Sequence, residues 1–230
     1  MTSPSPHDTA LEHLRIIRTL MERANIYRAV SAPAAMIGGM LALTVSGYGI
    51  WREYLKQAVD GQGDGFQDGK FLATWLGLLV IASITNLVLL MKESRTKGQP
   101  FITDGLKMAL RAVVPPLLSG GILGICLIWY VRQVELAALV WILCYGLALQ
   151  ATVSFAPKSI IHLARAFIVT GQILTIVWFS LGGPALSIWN GAVASVFLGL
   201  TFGVFHVIYA VAVFASNPSP AAANATATHD

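Results

Sequence analysis

Six apolar runs, near residues 33–51, 71–91, 112–131, 135–154, 165–183 and 191–214, constrain this chain more than any motif in it. Each is long enough to cross about 30 Å of hydrocarbon as a helix, which takes about 20 residues. None alternates apolar and polar residues with the period of two that a barrel strand requires. Backbone N–H and C=O groups in hydrocarbon need partners inside the structure, so helices are the remaining solution. Charged residues are 11% of the chain, against about 25% in soluble domains. The expected fold is all-α: a polytopic membrane protein with a bundle of six transmembrane helices over 32–215. Polar tails at 1–8 and 216–230 have the Ser/Pro/Ala/Asn/Thr composition of disordered segments.

Basic residues orient this bundle. Of 15 Lys and Arg, 11 fall in the N-terminal segment and in the loops at 92–111 and 155–165, and the remaining four, Arg52, Lys56, Lys70 and Arg132, fall on the other face. The positive-inside rule places both termini in the cytoplasm, and the expected location is a cell inner (plasma) membrane. All six Trp then lie toward the outer face, as an interfacial aromatic belt would.

Residues 9–31 form the expected cytoplasmic collar. Thr9 and Glu12 have the spacing of a capping box. On a helical wheel, Leu14, Ile16, Ile17, Leu20, Met21, Ala24 and Tyr27 share one face, and Arg15, Arg18, Glu22, Arg23 and Asn25 share the other. With Arg28, these arginines suit a basic amphipathic helix lying on the leaflet against anionic lipid. Helices tied to the bilayer dock poorly in a DNA groove, so no nucleic-acid partner is expected. The stretch 99–111 reads as a second short interfacial helix. Asp60, Asp64 and Asp68 in the 52–70 loop lack EF-hand spacing and read as a solvated turn.

Small residues indicate where helices meet. Ala34, Gly38, Ala42 and Ser46 recur every four residues in the first span, and Gly191, Ser195, Gly199 and Gly203 in the sixth; Gly120 and Gly124 make a shorter ladder in the third. Such faces allow close approach, a main source of helix association in lipid. They mark these helices for tight packing within the bundle or at a homodimer face. Pro115 and Pro116 are expected to kink or unwind the start of the third span.

Chemistry is sparse. No Asp, Glu, Lys or Arg occupies the middle of a span, where ion-coupled pumps usually need one. No nucleotide, zinc or hydrolase motif occurs, so no catalytic residue, metal or cofactor is assigned. Cys126 and Cys144 lie in spans and read as buried free thiols. The polar residues at depth are Asn86, Gln150, Gln172 and His206. Each needs a partner in hydrocarbon. They serve as interhelical hydrogen bonds or as the lining of a polar pocket for a neutral ligand. His206, with His162 and His13 toward the same face, leaves b-type haem ligation as a third alternative.

Several stretches carry a likeness: EHLRIIRTLMERA before the first span, RAVVPPLLSGG, YGLALQATVSFAPKS, and TFGVFHVIYAV with Gly203, His206 and Tyr209. Together they resemble a family of uncharacterised six-span bacterial inner-membrane proteins, often encoded beside a small winged-helix regulator. The resemblance implies a membrane sensor with a cytoplasmic regulatory partner and no known activity. The chain departs from the family pattern after the sixth span, where SNPSPAAANATATHD stands in place of a basic tail. The leading expectation is a non-enzymatic sensing, regulatory or scaffolding protein. The alternatives are a small transporter or channel for an uncharged solute, and a haem-binding electron carrier.

Overall fold

The computed structural model describes residues 12, 15, 31–60, 68–96, 98, 102, 104–183 and 190–216. The described residues are helical apart from short turns. They form α1 (Ala32–Asp60), α2 (Asp68–Thr96), α3 (Asp104–Cys126), a π-helical turn π1 (Leu127–Val131) and α4 (Val134–Gln150). Then come α5 (Lys158–Ser180), α6 (Asn190–Leu198), a π-helical segment π2 (Gly199–Phe205) and α7 (His206–Ser216). The last three run on without a break as one rod. Five helical stretches are long and apolar enough to cross a membrane; α4, with 17 residues, is shorter.

Local chemistry sets the ends. Ser31 starts α1: its carbonyl accepts from the N–H groups of Ala34 and Ala35, and its hydroxyl lies 3.4 Å from Ala34 N. Pro33 fits the first turn, whose N–H groups have no intrahelical acceptor. Arg132, at φ 60°, takes the left-handed conformation that closes π1, and its N–H reaches back to Leu127 O. Pro157 precedes α5 and accepts from the N–H groups of Ile160 and Ile161. Gly182 and Gly183 terminate α5 at φ 98° and 49°, conformations that favour glycine. Along the helices, the hydroxyls of Thr44, Thr85, Thr175, Ser195 and Thr201 donate to carbonyls four residues back. This satisfies them inside an apolar environment.

Packing contacts fix the directions. Gly120 lies against Cys144 and Gly124 against Trp141, so α3 and α4 are antiparallel. Gly146 lies against Phe167 and Gly171 against Ile142, so α4 and α5 are antiparallel too. Gly39 meets Gly203, Ser46 meets Gly199 and Gly49 meets Ser195, so α1 and the rod are antiparallel. Residues 32 and 216 therefore share one end of the bundle, called here the terminal end. α1, α4, α5 and the rod supply most of the buried side chains, with Phe167, Ile128, Ile142 and Ile160 fully buried. α2 is peripheral. Phe71 and Trp75 anchor it, with Phe71 stacked on Trp141 at 6.3 Å between ring centroids, while Leu79, Val80, Ile81, Ile84, Leu87 and Val88 face outward.

Several sequence expectations change. α1 continues to Asp60, about 13 Å past the expected end at residue 51. The short interfacial helix expected at 99–111 is instead the opening of α3, from Asp104 onward. α3 runs through Pro115 and Pro116 without unwinding. The prolines remove the N–H donors to the carbonyls of Arg111 and Ala112, yet the flanking turns hold the helix. α5 begins at Lys158, which puts His162 and Arg165 on a helix, both exposed, rather than in a loop. The tryptophans are split: Trp51 and Trp129 are exposed as a belt requires, whereas Trp75 and Trp178 are buried in the core. Cys126 is exposed on the outside of α3, not buried, and Cys144 is half-buried. In the amphipathic segment 9–31, Glu12 and Arg15 are helical and exposed. Arg18, Arg23, Arg28 and the tails 1–8 and 217–230 lie outside the described residues, while Ser216, expected in the second tail, closes α7.

Candidate functional site

The small-residue seam comes first, because it positions everything else. A Cβ on Gly199 would lie 2.6 Å from Ser46 Oγ, and one on Gly203 would lie 2.7 Å from Leu43 Cδ2. Real side chains do not approach so closely, so these positions hold the rod against α1 only as glycine. The Ser46 hydroxyl donates to Ser195 O at 2.7 Å across the same seam. On α1 the contact residues are Gly39, Leu43, Ser46 and Gly49. They are four, three and three residues apart. Gly38, from the strict four-residue ladder, faces Ala82 of α2 at an ordinary 3.7 Å. A four-residue step drifts about 40° round a helix each time, whereas mixed threes and fours keep one face toward the partner. Gly120 and Gly124 do the same work between α3 and α4, where a Cβ on Gly124 would fall on the Trp141 ring.

At the terminal-end half of this frame sits the densest polar and aromatic node. The Tyr145 hydroxyl from α4 lies 2.7 Å from His206 Nε2, at the junction of π2 and α7. Rings surround the pair: Tyr145 to Phe167 at 4.7 Å, Tyr145 to Phe202 at 4.9 Å and Phe167 to Phe205 at 5.6 Å between centroids. Phe202 stacks on the imidazole at 6.1 Å with 10° between planes. The carbonyls of Phe202 and Thr201 face the ring, while Nδ1 makes no well-formed hydrogen bond of its own. π-Helical turns widen the winding locally and concentrate at functional positions. Here π2 sets the histidine directly after its wide turns.

Of the four polar residues expected to line a pocket, Asn86, Gln150 and His206 are half-buried and Gln172 is exposed. Tyr145, which no sequence argument singled out, is the partner of His206. Asn86 on α2 and Gln150 at the end of α4 are half-buried, and Asn86 Oδ1 and Gln150 Oε1 have no hydrogen-bond partner. The contact of Gly38 with Ala82 puts Asn86 about one turn nearer the terminal end than His206. Gln150 is likewise five residues beyond Tyr145. Gln172 is exposed on α5.

Glu135 is a second residue the sequence reading passed over. It opens α4 and is only 2% exposed, as is Trp178. The antiparallel register of α4 and α5 puts the two at the same level. A carboxylate in the first turn of a helix is favoured by the macrodipole, which explains an acid at a buried helix start. An apolar run that begins with Val-Glu, just after a turn, is the signal that could have found it. Among the described residues no three His, Cys, Asp or Glu side chains gather closely enough to hold a metal ion.

A shallow, open groove lies at the terminal end of α2. It is lined by Val88, Met91, Lys92, Arg95 and Thr96 and has a volume of about 390 Å³.

No protein-family model, curated protein or solved structure matches this chain. The likeness drawn from the sequence motifs therefore stands on those motifs alone.

Proposed function

We propose that this protein is a non-enzymatic inner-membrane protein of sensing, regulatory or scaffolding type, with six membrane crossings and both termini in the cytoplasm. One observation carries the reading: the level of the bundle where a solute path would need polar room is filled by the interlocked rings of Tyr145, Phe167, Phe202 and His206. A bundle packed in this way acts through its surfaces. The surfaces on offer are the basic collar and the outward face of α2.

The sixth crossing is supported by direction rather than length. α3 and α5 both run opposite to α4, the direction that a return crossing by α4 needs. Its 17 residues span about 26 Å, near the lower limit for a crossing. The basic residues supply the orientation. The resemblance to six-span proteins adds a partner class: a small cytoplasmic regulator recruited to the membrane, with anionic lipid as the collar's other contact.

The test is affinity capture of the tagged full chain from membranes at low and moderate salt, beside a variant combining Arg15→Gln, Arg18→Gln and Arg23→Gln. The expected result is a stoichiometric cytoplasmic partner that the variant and the higher salt both release. A chain that captures nothing from either preparation contradicts the reading.

A further inference from the structure

The groove on α2 has a composition that names its occupant. Its lining residues recur at three- and four-residue spacing, so they form one stripe along the helix. Val88 and Met91 come first and are apolar; Val88 is 51% exposed and continues the outward apolar surface of Ile84 and Leu87. Lys92 and Arg95 follow about 6 and 10 Å further along and are exposed. Thr96 turns its hydroxyl back to Lys92 O at 3.0 Å.

We propose that this groove seats one anionic phospholipid, its phosphate held by Lys92 and Arg95 and the start of an acyl chain lying on Val88 and Met91. The inference rests on the membrane reading above. The order along the stripe, apolar then cationic, matches the order of acyl chain and headgroup at a leaflet surface. Arg95 offers the planar fork that suits a phosphate, and Lys92 a second point charge. The backbone does not help: α2 ends here, and the carbonyls of a helix C-terminus repel an anion. Recognition therefore falls on the two side chains, which makes the site sensitive to their removal. An acidic protein segment would use the cations but leave the apolar half uncovered.

The experiment is native mass spectrometry of the full chain, purified in detergent and incubated with equal phosphatidylglycerol and phosphatidylethanolamine of the same acyl chains. Wild type is expected to retain phosphatidylglycerol about tenfold more than phosphatidylethanolamine. Lys92→Gln with Arg95→Gln removes that preference. Val88→Trp, which fills the groove and keeps both cations, lowers phosphatidylglycerol binding as well. Lys70→Gln, at the far end of the same helix, behaves as wild type. The proposal is overturned if wild type shows no preference. It is also overturned if Val88→Trp binds as wild type does, which means that the cations recruit anions without a seat. Equal loss in Lys70→Gln, which means general charge attraction, overturns it too. Failure of the membrane reading shows separately, as release of the protein from membranes by an alkaline carbonate wash.

Discussion

Tyr145 and His206 join α4 to the rod formed by α6, π2 and α7 through a 2.7 Å contact between the phenol hydroxyl and Nε2, inside a shell of phenylalanine rings. The contact fastens the rod directly after its π-helical turns. It also disposes of two polar groups that would otherwise be costly in an apolar interior.

Removing both partners should therefore cost less than the two single losses added together. Tyr145→Phe is expected to lower stability by about 1 kcal/mol, within the roughly 0.6–1.7 kcal/mol measured for interhelical bonds in membranes. His206→Phe should act similarly, and the double variant should fall short of the sum. Thermal unfolding of all four proteins in one detergent gives the coupling energy directly; strict additivity would show that the contact contributes nothing.

The seam between α1 and the rod makes a steric prediction. Gly199→Val drives a branched side chain into Ser46 and should lower folded yield and melting temperature sharply. Gly121→Ala, where an added Cβ meets nothing within 4 Å, should be neutral or stabilise by about 0.5–1 kcal/mol through helix propensity. Size-exclusion profiles of the two variants beside wild type check both.

Much of the architecture was legible in the sequence, because the period and length of an apolar run are set by the bilayer. The site was less so. Gly199 and Gly203 stood out as small residues at regular spacing, but whether Gly38 or Gly39 meets the rod depends on helix phase, which a four-residue ladder does not fix. His206 was visible as a polar residue at depth. Tyr145 was not, since an aromatic residue in an apolar run reads as packing until its hydroxyl acquires a neighbour. Trp75 and Trp178 read as belt residues for the opposite reason: position along the helix placed them near an interface, and only tertiary packing turned them inward. Pro115 and Pro116 show the same limit, since a local rule for breaking helices was overridden by the surrounding turns.

The order of crossings can be read by thiol labelling in intact cells. A cysteine placed at Gly98 and one placed at Arg132, at opposite ends of α3, should react with a membrane-impermeant reagent differently. With Cys126 and Cys144 replaced by Ala, the Arg132 position is expected to label from outside and the Gly98 position only after lysis. Labelling of both from outside would remove a crossing.

If the bundle interior is closed at the level of His206, the protein works by association rather than by passage of a solute. Stopped-flow swelling of proteoliposomes in gradients of small uncharged solutes such as glycerol and urea tests this most directly. The expected result is permeability equal to protein-free liposomes, for wild type and for Gln150→Ala alike. Solute flux well above that background, reduced by substitutions at Asn86, Gln150 or His206, would contradict it and make the protein a channel.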